Sequence, residues 1–126
     1  MNEQDRLRQQ MAQIGARYIA RTAGELQRMR ELLQQALGDA PAMMKDLEHL
    51  AHKIHGSGAM FGFDRVSDQA GEIEHIAGVL QGRQGPERFQ NMQPDELHAR
   101  LREGVEKLVE VTKLAAQERG VDVNVA

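Results

Sequence analysis

The sequence predicts an all-α protein: an antiparallel four-helix bundle with an additional N-terminal helix. Apolar residues recur at spacings of three and four along most of the 126 residues, which is the periodicity of amphipathic helices. Aromatic residues make up only 3% of the chain, so the core must be largely aliphatic, and β-branched runs typical of strands are few. Short connections between helices that each carry one apolar stripe favour antiparallel packing.

The first helix is predicted from about residue 3 to residue 20 and packs beside the bundle. Its apolar residues follow a four-three-four spacing: Leu7, Met11, Ile14 and Tyr18. Thr22 and Glu25 then have the spacing of a capping box, in which each side chain bonds to the other residue's backbone amide. We therefore predict a break near Thr22 and a second helix that continues to Leu37.

Three further helices are predicted over about residues 40–61, 64–80 and 94–119, because a capping residue, a proline or a glycine stands at each boundary. Residues 82–93 have no periodicity and several helix breakers, so they are predicted to form a long loop. The whole chain, residues 1–126, is predicted to be a single domain, with 121–126 as a frayed tail.

Composition excludes several classes of function. The net charge is -3 and the two signs are interspersed, which argues against a nucleic-acid-binding protein. The absence of cysteine excludes disulfides, thiol catalysis and thiolate metal sites. The polar N-terminus and the lack of a long apolar run argue against a signal peptide and a membrane span. We expect a cytoplasmic protein, and a monomer, because single-striped helices leave no spare apolar face.

The segment around His52 holds the most informative residues. At about 100° per residue, His52 points about 150° away from the centre of its helix's apolar stripe, toward solvent. That stripe comprises Leu47, Leu50, Ala51, Ile54, Gly58 and Phe61. Gly56 lies one turn beyond His52 and only about 40° around the helix, where its missing side chain leaves room for another molecule. A neutral imidazole held in the open is a nucleophile that can accept a phosphoryl group from a visiting active site.

Other chemistries fit the sequence less well. Ser57 lies about 140° around the helix from His52, so a Ser-His triad lacks the required geometry. His49, His52 and His55 are spaced by three residues, but the acidic residues nearby avoid the apolar faces that an interior metal site needs. A metal-binding bundle therefore stays a minor alternative. A helical adaptor that binds a partner through the same face, without phosphorylation, is the main alternative.

The segment resembles the signature of histidine-containing phosphotransfer (HPt) domains of two-component phosphorelays. The matching residues are Ala51-His52-Lys53-Ile54-His55-Gly56-Ser57 and Phe61-Gly62-Phe63. The resemblance implies that His52 is the phosphorylated residue and that Gly56 gives clearance to a docking receiver domain. It also implies a docking surface that includes Ser57, Ala59, His49 and Glu48.

The resemblance further implies a phosphoryl carrier with no turnover of its own. His52 would relay the phosphoryl group between a sensor histidine kinase or receiver domain and the Asp of a response-regulator receiver. No cofactor is expected on this chain, since Mg²⁺ would be bound by the partner receiver. One departure is His55, which stands where the family usually has Lys and carries positive charge only when protonated. We expect His55, with help from Lys53, to neighbour the phosphoryl group.

Overall fold

The computed structural model describes residues 1–125, which contain five α-helices and no strand. They are α1 (Glu3–Ala36), α2 (Met44–Met60), α3 (Asp64–Leu80), α4 (Glu87–Gln90) and α5 (Pro94–Glu118), with a 3-10 turn, Pro41–Met43, before α2. The predicted all-α bundle is therefore confirmed. Helix α1 packs on α2 and α5, and α3 packs on the same two helices, so the four long helices close a ring around one core.

The core is aliphatic, as the composition predicts. Its largest fully buried side chains include Ile19, Leu26, Met29, Leu47, Ile54, Ile73, Leu101 and Leu108. Gly62 has a φ of 81°, in the left-handed region that glycine tolerates best. It therefore reverses the chain tightly between α2 and α3, and these two helices run antiparallel along their whole length.

The predicted break near Thr22 is wrong, because α1 continues as one helix through this residue. Thr22 is fully buried, so its side chain is part of the helix interface and does not cap a new N-terminus. The predicted N-terminal helix is thus the first part of α1. Its apolar stripe was expected to pack beside the bundle, but of its four residues only Tyr18 is buried.

Residues 3–14, which we call the N-terminal ledge, are all exposed. Tyr18 contacts Phe61 just after the end of α2, with ring centroids 4.6 Å apart. The earlier turns of α1 must therefore extend past that end of the bundle. The ledge carries Leu7, Met11 and Ile14 on its surface, at 54%, 70% and 44% exposure.

Two segments predicted to be irregular pack against the bundle. Within residues 82–93, the single turn α4 places Phe89 in the core at 0% exposure, so part of the predicted loop is helical. In the tail, Val125 is buried, and Val121 and Val123 pack against the core. Residues 121–125 are therefore packed, contrary to the predicted fraying, whereas Ala126 lies outside the described residues. No helix within residues 1–125 has the length and apolarity that a membrane crossing needs.

Candidate functional site around His52

His52 lies on the outward face of α2, and its side chain is 71% exposed. The opposite face of the same helix is anchored in the core by Leu47, Ala51 and Ile54, each at most 1% exposed. A helix fixed in this way holds the backbone of His52 rigidly while the ring stays accessible. The structure thus places the imidazole in the open, as the helical phase predicts.

Glu74 on α3 fixes the orientation of this ring. Its Oε2 lies 2.6 Å from Nδ1 of His52, and its side chain is 22% exposed. A carboxylate only accepts hydrogen bonds, so Nδ1 must carry the proton and donate it. In the neutral ring, Nε2 then holds the free lone pair. The contact selects the tautomer in which the nucleophilic nitrogen is the one away from Glu74.

Gly56 leaves open space beside the histidine. A Cβ built at this position would meet no atom within 4 Å outside its own helix, so the fold itself does not require a glycine here. A glycine within a helix costs about 0.5–1 kcal/mol relative to alanine. Gly56 therefore lowers the stability of α2, and its missing side chain leaves an accessible surface one turn from His52.

His55 turns toward α3. Its Nδ1 donates to the backbone carbonyl of Ser67 at 2.8 Å, and the Ser67 hydroxyl donates to the His55 carbonyl at 2.6 Å. The ring lies over Gly71, where a Cβ would come within 2.7 Å of Nδ1. With Nδ1 protonated for the carbonyl, Nε2 of His55 can donate a hydrogen bond only when the whole ring is protonated.

Lys53 and Ser57 turn toward α1. The Lys53 ammonium lies 2.6 Å from a carboxylate oxygen of Glu25. The Ser57 hydroxyl donates to the Lys53 carbonyl at 2.7 Å and lies 2.9 Å from the Tyr18 hydroxyl. Lys53 and His52, although adjacent in sequence, thus bind opposite neighbouring helices. The Lys53 charge is directed away from the ring.

The remaining predicted docking residues divide into two groups. His49 and Ala59 are exposed, on the two sides of His52 along α2. Glu48 is instead half-buried: it accepts a hydrogen bond from Gln81 Nε2 at 3.0 Å and pairs with the guanidinium of Arg83. Its carboxylate is therefore held at the C-terminal end of α3.

The histidines do not form a metal site within residues 1–125, where no three His, Cys, Asp or Glu side chains come together as ligands. His55 is held by the Ser67 carbonyl, whereas His52 is held by Glu74. The interior metal site considered as an alternative is thus not assembled by the described residues.

Two features of this surface were not predicted from the sequence. The first is the Glu74 contact, which pattern analysis of α3 alone cannot reveal because Glu74 borders the apolar stripe of that helix. The second is Met60, which is 80% exposed and lies on the same face of α2 as His52 and Gly56, since residues four apart are neighbours on a helix. Met60 forms an apolar end to this face.

The chain matches a known protein family. A family model described as Hpt domain matches residues 6–111. The matched span begins in the N-terminal ledge, includes the whole of α2, α3 and α4, and continues through most of α5. No curated protein and no solved structure matches the chain.

Proposed function

Because this chain belongs to the Hpt domain family, we propose that it is a phosphorelay carrier in which Nε2 of His52 accepts and returns the phosphoryl group. Domains of this family carry phosphoryl groups in two-component systems. The observation that supports His52 as the carrier is its geometry: the ring is exposed, its Nδ1 is bound to Glu74, and the surface beside it is cleared by Gly56.

In the transfer step, the lone pair of His52 Nε2 attacks phosphorus of an aspartyl phosphate on a receiver domain. The N–P bond forms as the P–O bond to the aspartate breaks, and the leaving group is the aspartate carboxylate. The ring then carries a positive charge that is shared with Nδ1, and the Glu74 carboxylate bound there balances it. Transfer to the next receiver is the reverse of this step with a different aspartate.

The chain itself offers little further catalysis. No second acid, base or cation is bound to His52 within residues 1–125, and the nearest lysine is paired with Glu25. We propose that Mg²⁺ and the groups that neutralise the transferring phosphoryl are supplied by the receiver or kinase. The chain would then act as a monomeric cytoplasmic carrier, with no turnover of its own.

His55 is the expected neighbour of the phosphoryl group on His52. Because Nδ1 of His55 is bound to a carbonyl, this side chain offers the phosphoryl group a positive charge and a second N–H only when it is protonated. A lysine at this position would keep its charge throughout the neutral range. We therefore expect phospho-His52 to have a longer lifetime in a His55→Lys variant than in wild type. Equal lifetimes would contradict the role of His55.

The proposal is tested by phosphotransfer profiling. Each receiver domain encoded in the same genome is first phosphorylated with acetyl phosphate and then incubated with this protein. The protein is then assayed for bound phosphate that is stable in alkali and labile in acid. His52→Gln should abolish labelling, whereas His75→Gln, which replaces an exposed histidine on α3 outside the expected docking surface, should retain it. Binding of a receiver without any transfer would favour the adaptor, and labelling that persists in His52→Gln would refute the assignment.

Glu74 provides a second test with a matched control. Glu74→Gln retains a hydrogen-bond acceptor for Nδ1 but removes the charge that balances the phosphorylated ring. A hydrogen bond to a charged group contributes about 1.5–3 kcal/mol, which at the lower end corresponds to about a tenfold slower transfer. Glu72→Gln is the control, because Glu72 lies on the same helix but pairs with Arg88 at 3.5 Å. Equal rates for the two variants would contradict a role for Glu74.

A further inference from the structure

The N-terminal ledge presents an apolar stripe that no part of the described chain covers. Leu7, Met11 and Ile14 are between 44% and 70% exposed. Single exposed apolar residues are ordinary on protein surfaces, but a contiguous row of them marks an interaction site. All three lie within about 40° of Tyr18 around α1, so they form one row with it.

Tyr18 shows which way this row faces. Its hydroxyl lies 2.9 Å from the Ser57 hydroxyl, and its ring stacks on Phe61 with centroids 4.6 Å apart. Both contacts are to α2 and to the residue that follows it. The ledge therefore carries its apolar row on the α2 side of α1, and it continues that surface past the end of α2.

Exposed apolar side chains at the end of α2 lie between His52 and the ledge. Met60 is 80% exposed and shares the outward face of α2 with His52 and Gly56. Phe61, which follows it, is partly exposed and contacts Tyr18, one turn from Ile14. Apolar side chains thus extend from the face that carries His52 onto the ledge.

A domain seated on His52 is large enough to reach the ledge. At 1.5 Å per residue, Ile14 and Met11 lie about 14 and 18 Å from His52 along the bundle axis, taking Tyr18 as level with Ser57. A domain of 100–150 residues has a radius of gyration of about 13–15 Å, so its surface extends about 17–19 Å from its centre. Such a domain centred over His52 would cover Met60 and reach Ile14 and Met11.

A second copy of this chain suits the ledge less well. A stable dimer buries about 800 Å² on each partner, and two ledges about 18 Å long with three large apolar side chains each supply much less.

We propose that the N-terminal ledge is a second contact surface for the receiver domain docked on His52. This inference rests on the proposed function. The ledge would increase the affinity for the receiver without touching the reacting atoms, so its effect belongs to binding and not to the transfer step.

The test uses the receiver domain that donates its phosphoryl group fastest to this protein in the profiling experiment. Its dissociation constant is measured by titration calorimetry with wild type and with a triple variant, Leu7→Gln, Met11→Gln and Ile14→Gln. Glutamine is a good helix former, and all three side chains are exposed, so the fold should persist, as circular dichroism would verify. We expect about a tenfold weaker affinity and an unchanged first-order transfer rate at saturating receiver.

The control is a double variant on the opposite face of the ledge, Gln9→Ala with Gln13→Ala, which should bind like wild type. Equal affinity for the triple variant would overturn the inference and leave the proposed function intact, since transfer itself would still be observed. A wild-type dimer that the triple variant converts to a monomer, with receiver affinity unchanged, would also overturn it and assign the ledge to a second copy. Absence of transfer from every receiver would remove both proposals.

Discussion

Gly56 offers the sharpest separation between stability and function, because Gly24 provides a matched control. Both glycines are exposed within long helices, and a Cβ built at either one meets no atom within 4 Å outside its own helix. Gly24 lies on the outer face of α1, away from His52. The two substitutions to alanine therefore change the free protein in the same way, but only one of them changes the surface beside the histidine.

The expected gain in stability follows from helix propensity. Alanine is favoured over glycine in a helix by about 0.5–1 kcal/mol, and each substitution should raise the free energy of unfolding by this amount. For a domain of this size, the entropy of unfolding converts about 1 kcal/mol into a rise in Tm of roughly 4 °C. Gly24→Ala and Gly56→Ala should therefore both unfold at higher temperature than wild type, as followed by circular dichroism.

Phosphotransfer should respond in the opposite way, and only at Gly56. A partner packed closely over this position would meet the added methyl group, and overpacking costs about 1–3 kcal/mol, or about 5- to 150-fold in the second-order rate constant of transfer. The assay is the rate of transfer from the phosphorylated receiver, with Gly24→Ala measured alongside. If Gly56→Ala transferred as fast as Gly24→Ala, Gly56 would not be the clearance for docking, and the interpretation of this surface would be wrong.

Three further predictions concern the stability of the bundle. In Gly71→Ala, the new Cβ would lie 2.7 Å from His55 Nδ1; we expect urea unfolding to show a loss of about 1–3 kcal/mol, and unchanged stability would contradict the close packing of the ring. Thr112 is fully buried, and its hydroxyl has no hydrogen-bond partner within residues 1–125. Thr112→Val should therefore raise the stability by about 1 kcal/mol, and a lower Tm would show that the hydroxyl is paired. Hydrogen bonds from Arg30 lower the pKa of Glu106 from its ordinary 4.5, so this pair stabilises the fold above that pH and loses its effect as the pH falls through the lowered value. Glu106→Gln should cost up to about 1 kcal/mol at pH 7, and the difference from wild type in chemical unfolding should disappear in acid; a difference that persists there would contradict the pairing.

The helical phase of α2 was sufficient to predict the exposure of His52, because one regular helix determines both its buried and its outward face. The partners of His52 required a second helix. Gly62 reverses the chain, so residues at similar distances before and after it meet: Glu74 meets His52, and Gly71 meets His55. This register depends on both helices running without interruption to the turn, which the apolar pattern of either helix alone does not establish.

The predicted break in α1 has a different cause. The row that ends at Tyr18 and the later row that includes Leu26 and Met29 are rotated relative to each other around the helix. Such a change of phase, like the capping-box spacing at Thr22, is typical of an interrupted helix. In the structure the helix is continuous, and the apolar row shifts because the two parts of α1 have different neighbours. The later row enters the core, whereas the ledge extends past the end of α2.

The most direct test of the central proposal is the chemical identity of the phosphorylated atom. The protein is phosphorylated by its fastest receiver and examined by ³¹P and ¹⁵N NMR under alkaline conditions, where phosphohistidine persists. Since Nδ1 of His52 is bound to Glu74, we predict a single phosphate on Nε2 of His52. A phosphate on Nδ1, or on any other residue, would contradict the account.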